Sequence, residues 1–201
     1  MFGSVMLDLQ GPEITAEEIE LLDHPAVGGV IYFTRNYQDK AQLRELVRRT
    51  RAASRNPLLL AVDHEGGRVQ RFRPEFTLIP AMGQILPGAG GDLTKAQQYA
   101  TEMAWLMAME VLTQDIDISF APVADVWGVC DVIRNRAFSP DAKQVVAMVQ
   151  AFAKGMHGAG MKTTGNAGGS HHLTLSSSRT PKGGLPALLK EMGTGLLVTE
   201  L

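Results

Sequence analysis

A repeated alternation of short apolar runs with capped helical stretches is what most limits the folds open to this chain. Ser4 to Leu9 (SVMLDL), Val27 to Phe33 (VGGVIYF), Leu58 to Asp63 (LLLAVD), Ile116 to Val126 (IDISFAPVADV) and Met161 to Gly165 (MKTTG) read as strands or strands running into loops. Each of the four gaps carries a helix signal. Thr15 with Glu18 three residues on has capping-box spacing, in which each side chain satisfies a free backbone N–H. Asp39 with Gln42 and Thr94 with Gln97 repeat that spacing, and Ser139 with Pro140 at the first helical position opens the last helix. In the helix after Thr94, Ala100, Met103, Ala104, Met107 and Val111 fall on one face. The run LLLAVD is continuously apolar, as in strands covered on both faces of a parallel sheet. Repeated β–α units imply a parallel sheet, either doubly wound or a (β/α)8 barrel. A full barrel takes about 250 residues. With 201 residues there is room for five or six units, so the barrel expected here is incomplete.

Charge and cysteine content narrow the function. Lys and Arg number 19 against 21 Asp and Glu, a formal net charge of −2, which gives no global footprint for nucleic acid. The single cysteine, Cys130, excludes an internal disulfide and any multi-cysteine metal site. The start, MFGSVMLDLQGPE, lacks a basic region followed by an apolar core, and no stretch has the ~18 uncharged apolar residues of a membrane span. A cytoplasmic location is therefore expected.

The strongest local signal is AVDHEGGRVQRFR, Ala61 to Arg73. An apolar strand ends in Asp63, followed by Glu65, Gly66 and Gly67, then Arg68 and Arg71. In parallel α/β folds the carboxyl ends of strands face the functional site. Glycines there let backbone approach a ligand, and a carboxylate beside arginines suits a hydroxyl-rich or acidic small molecule. A solvated turn with a surface ion pair fits the pattern equally well. Phe120 to Val126 (FAPVADV) repeats the logic with Asp125. In VIRNRAFS, Arg134 and Arg136 read on pattern alone as bridging loop backbone. Other motifs fail. Four residues after His64 stands Arg68, not a second histidine, so no zinc motif forms. Gly155 and Gly160 have the phosphate-loop spacing but Met161 replaces its lysine. His171 and His172 alternate sides on a strand and read as solvated.

Taken together, VMLDL, HPAVGGVIYFTRNY, AVDHEGGRVQRF, DISFAPVADV, VIRNRAFS and GMHGAGMKTTG resemble the β-N-acetylglucosaminidases of glycoside hydrolase family 3, over residues 1 to about 165. The resemblance implies a barrel of the TIM type. It implies removal of terminal β-linked N-acetylglucosamine from cell-wall muropeptides in peptidoglycan recycling, with no cofactor and no metal. Position by position it implies that Asp63 grips the sugar hydroxyls, that Arg71 binds the sugar, and that Arg136 lines the substrate pocket. His64 stands where the family commonly has glutamine.

Beyond Gly165 the pattern departs from that family. Asn166 to Ser170 (NAGGS) replaces the Lys-His pair that holds the substrate, and the histidine–aspartate pair that follows as general acid/base is absent. The nucleophilic aspartate belongs to a later strand. No catalytic residue is therefore assigned, and turnover by this chain is expected to be very low or nil. Residues 166–201, Gly/Ser-rich and then LPALLKEMGTGLLVTEL, resemble an internal piece of the TldE/PmbA proteins, joined at the shared TTG triplet. The alternatives are a sugar-binding remnant without catalysis and a non-functional chimera. A sheet stopped after five or six strands leaves open edges, so self-association is expected.

Overall fold

The computed structural model describes residues 3–128 and 131–165; the expectations for Cys130 and for residues 166–201 lie outside the described residues. The chain runs β1 (Val5–Asp8), α1 (Ala16–Leu22), β2 (Val27–Tyr32), α2 (Lys40–Ala53), β3 (Leu59–Val62), a short hairpin of β4 (His64–Gly66) and β5 (Val69–Gln70), α3 (Ile85–Gly88), α4 (Leu93–Leu112), β6 (Ile118–Ser119) and α5 (Ala142–Gly158). β1, β2, β3 and β6 pair in that order, all parallel. This is the α/β class expected.

The helices start where their side chains can satisfy the first free N–H groups. Thr15 Oγ1 accepts from the Glu18 N–H at 3.2 Å and Glu18 Oε2 accepts from the Thr15 N–H at 2.8 Å, the full reciprocal cap. Asp39 Oδ1 accepts from the Gln42 N–H at 2.8 Å. Two starts differ from expectation. Asp92, not Thr94, caps α4, and Asp141, not Ser139, caps α5. Aspartate accepts from a backbone N–H at least as well as the nearby hydroxyls, and Ser139 instead accepts from the Asp141 N–H at 3.0 Å.

The strand interiors form the core. Val30, Tyr32, Leu60 and Val62 are fully buried, with Leu22, Leu43, Leu46 and Val47 of the helices against them. On α4 the predicted face is the buried one: Ala100, Ala104, Met107 and Val111 are inaccessible and Met103 packs at its edge. α4 and α5 press together because Gly155 has no side chain. A Cβ there would lie 2.1 Å from the Thr101 carbonyl oxygen. Gly155 is thus a helix-packing residue.

Two strand expectations are corrected. The run 116–126 forms a ladder only at Ile118–Ser119, so Asp125 lies six residues past the strand end rather than at it. Residues 161–165 form no strand; Thr164 Oγ1 donates to the Ser119 carbonyl at 2.5 Å, so a side chain makes the link to β6 there. The region 65–91 contains β5 and α3.

The register matters for function. Tyr32 is opposite Val62, and Val62 opposite Ser119. Phe33, Asp63 and Phe120 therefore leave the sheet together at its carboxyl edge, with Asp8 ending β1 beside them.

Candidate functional site

Asp63 is the first residue beyond β3. Its side chain is 14% exposed, and its Oδ2 accepts from Arg71 Nη2 at 2.7 Å. Arg71 follows β5, so the hairpin folds the arginine back over the strand end. Two residues beyond Asp63, Glu65 is nearly sealed at 2% exposure and accepts from Arg136 Nε at 2.9 Å and Nη2 at 2.6 Å. Two parallel N–H···O bonds fix the guanidinium in plane as well as in distance. The hydrogen bond to Glu65 holds Arg136 above its ordinary value. Burial opposes this, and the charges of Glu65, Asp63 and Asp125 add to it. Asp63 and Asp125 thus belong to the same electrostatic unit as the Glu65–Arg136 pair.

The structure brings together all three residues predicted for the site, Asp63, Arg71 and Arg136, and adds Glu65 as the partner of Arg136. The solvated-turn alternative is excluded by the burial of Glu65. Arg136 bonds a carboxylate, so the backbone-bridging role read from pattern is corrected. Arg68 has that role: its Nη2 donates to the Val132 carbonyl. Arg134, Asn135, Trp127, Asp131 and Val132 line an open cleft with Arg68.

The reason given for the glycine pair also changes. Gly66 and Gly67 have φ of 108° and 57°, conformations side chains rarely adopt. A Cβ on Gly67 would sit 2.6 Å from the Ala81 Cβ, and one on Gly66 2.6 Å from the Pro80 carbonyl oxygen. The Gly67 N–H donates to the Ile79 carbonyl at 2.7 Å. What the glycines admit is the protein's own 79–81 segment. Gln70 locks the same segment, donating to the Thr77 carbonyl at 2.9 Å and accepting from the Ile79 N–H at 3.0 Å.

His64 lies between the two carboxylates in sequence, yet it faces the core. Its ring is 5.6 Å from that of Phe72 and 5.4 Å from that of Phe76, and its Nδ1 has no hydrogen-bond partner. Burial, with a lesser push from the Arg73 charge, drives its pKa down to about 3, so the imidazole is neutral. Its backbone is stitched to β6: the His64 N–H donates to Ser119 Oγ at 3.1 Å, and Ser119 Oγ donates to the His64 carbonyl at 3.1 Å.

One contributor escaped the sequence reading. Phe33, just past β2, lies with its ring centroid 5.4 Å from the Arg71 guanidinium carbon and 4.8 Å from that of Arg35. The strand-end rule that singled out Asp63 applies equally to Phe33, but an aromatic in an apolar run reads as core. Arg35 is held by the Leu9 carbonyl, at 2.8 Å from its Nε, and by Asp8.

The cluster offers fixed acceptors and donors side by side. Asp63 and Glu65 each accept from an arginine. Among the described residues, no group of three or more His, Cys, Asp or Glu side chains is placed to hold a metal ion. No helix of the described residues is long and apolar enough to cross a membrane.

A parallel β/α sheet whose strand ends carry paired carboxylate–arginine contacts is an α/β domain with its candidate site at the carboxyl edge of the sheet. The chain belongs to glycosyl hydrolase family 3, whose N-terminal domain matches residues 4–183. It is 56% identical over 163 residues to a beta-hexosaminidase of Tolumonas auensis, covering 81% of this chain and 48% of that protein. It is 46% identical over 181 residues to a beta-hexosaminidase of Haemophilus influenzae, covering 89% of this chain and 51% of that protein. In structure it is similar to NagZ from Neisseria gonorrhoeae in complex with N-trifluoroacetyl-D-glucosamine, with a TM-score of 0.79 and 39% identity over 85% of this chain and 51% of that one. The chain spans about half the length of the curated relatives it matches.

Proposed function

We propose that this chain carries the sugar-gripping wall of a β-N-acetylglucosaminidase that acts on N-acetylglucosamine-containing muropeptides in peptidoglycan recycling, in the cytoplasm. The observation that carries this reading is the Asp63–Arg71 pair beside the Glu65–Arg136 pair at the carboxyl edge of the sheet. Asp63 accepts from sugar hydroxyls, and Arg71 and Arg136 donate to sugar oxygens from the N–H groups that their carboxylates leave over. The names of the relatives and the glucosamine derivative bound to the Neisseria protein support the sugar class.

Within this wall there is binding but no chemistry. Retaining glycosidases need two catalytic groups on opposite sides of the scissile bond, about 5–5.5 Å apart when both are carboxylates. Asp63 and Glu65 are each bonded to a guanidinium and so hold the wall together. Hydrogen bonds that hold only the ground state do not lower the barrier. This wall therefore binds sugar without cleaving it, and residues 166–201, of which the family match covers those up to 183, are read as TldE/PmbA-like. The chain's sheet edges promote self-association.

A chromogenic N-acetyl-β-glucosaminide tests this. Release of chromophore by the purified chain should match buffer. Hydrolysis that is lost in Asp63→Ala would show that the wall works with a catalytic group in this chain.

A further inference from the structure

We propose that Phe33 is a positioning residue for Arg71, its ring face holding the guanidinium in the orientation that pairs it with Asp63. The inference rests on the reading of Asp63 and Arg71 as a sugar grip, and extends it to an aromatic residue at the neighbouring strand end.

Three observations carry it. First, Arg71 is under-held. Among the described residues only Nη2 has a carboxylate partner, at 2.7 Å, and the buried Nε has no hydrogen-bond partner. An arginine so placed would pivot about its single ion pair unless something flat faced it. Second, Phe33 is that surface, with the guanidinium carbon 5.4 Å from its ring centroid, within the reach of a cation–π contact. The Arg35 guanidinium carbon, 4.8 Å from the same ring, adds a second cation. Third, Phe33 is itself fixed. Its N–H donates to Asn36 Oδ1 at 2.8 Å, and the fully buried Asn36 donates through Nδ2 to the Leu9 and Gly11 carbonyls, each at 2.9 Å. The Phe33 backbone, from which the ring projects, is thus tied to the chain just past β1. A merely apolar side chain at position 33 would fill the space without attracting the guanidinium.

The experiment has two readouts on the 201-residue chain. In the first, the Arg71 Nε–Hε proton is followed by NMR without sugar, assigned by its loss in Arg71→Lys. A ring above the guanidinium moves this proton upfield. Phe33→Leu should return it toward the free-arginine position, and Phe33→Tyr should leave it shifted. In the second, N-acetylglucosamine is titrated. Phe33→Leu should weaken binding about five-fold, the size of a partly desolvated cation–π contact, and Phe33→Tyr should restore it. An Arg71 proton that does not move in Phe33→Leu, or equal affinity losses in the Leu and Tyr variants, overturns the inference. Absence of sugar binding by the unaltered chain would overturn the sugar reading instead, and the NMR arm would still decide whether Phe33 holds Arg71.

Discussion

Removing the Arg136 guanidinium should destabilise the fold far more than removing any exposed arginine. Glu65 is 2% exposed and Arg136 13%, and two N–H···O bonds of 2.9 and 2.6 Å join them. In Arg136→Met the carboxylate stays buried with its main cation gone. Breaking one side of a buried pair costs about 3–5 kcal/mol, a large part of the ~5–15 kcal/mol that holds a typical domain together. Asp63 and Asp125, whose charges also reach Arg136, lose a counter-charge at the same time. Chemical unfolding of the chain followed by circular dichroism at pH 7 measures the loss. Two comparisons isolate the cause. Arg136→Met with Glu65→Leu should recover most of the stability, because replacing both partners with apolar groups removes the uncompensated charge. Arg48→Met, which breaks an ion pair with Glu45 on the open face of α2, should leave the midpoint unchanged. The reasoning fails if Arg136→Met costs under about 1 kcal/mol, as an exposed pair would, or if the double replacement is no more stable than the single one.

Other outcomes follow from the same geometry. The folded state keeps His64 neutral with a pKa of about 3 against an ordinary 6.5, so the unfolded chain binds the extra proton as pH falls below 6.5. Stability contributed by His64 is complete above that value and declines below it, by roughly 2 kcal/mol at pH 5; in His64→Gln the difference from the unaltered chain should follow that curve, and parallel pH profiles would contradict it. Gly67→Ala sets a Cβ 2.6 Å from the Ala81 Cβ at a φ of 57°, and unfolding should show a loss of about 2–3 kcal/mol from strain and overpacking, whereas Gly90→Ala, with open space around it, should lose less. Sedimentation should show the chain associating as concentration rises; a monodisperse monomer would count against it.

Much of the fold was legible because helix caps and apolar runs are local signals. The Thr15–Glu18 box, the Asp39 cap and the buried face of α4 each depend on residues a few positions apart. What the sequence hid depends on distance. Nothing near Arg136 in the chain announces Glu65, 71 positions away, so local pattern assigned the arginine to loop backbone. The family resemblance placed it in the pocket but gave no partner. Gly66 and Gly67 were read as letting backbone approach a ligand, and that they admit the 79–81 segment instead is a tertiary fact. The strand expected at 161–165 failed because its composition suits a strand while its link to β6 runs through the Thr164 hydroxyl. Phe33 was hidden by its own hydrophobicity.

The central claim is that the strand-end cluster binds N-acetylglucosamine through Asp63. The most direct measurement is a titration of the 15N-labelled chain with N-acetylglucosamine, reading the backbone amides of residues 63–73 and 134–137, with Asp63→Ala in parallel. The account predicts weak, saturable shifts confined to those two segments, absent in Asp63→Ala while the variant's spectrum stays folded. Shifts that persist unchanged in folded Asp63→Ala, or no shifts in the unaltered chain at millimolar sugar, would contradict it.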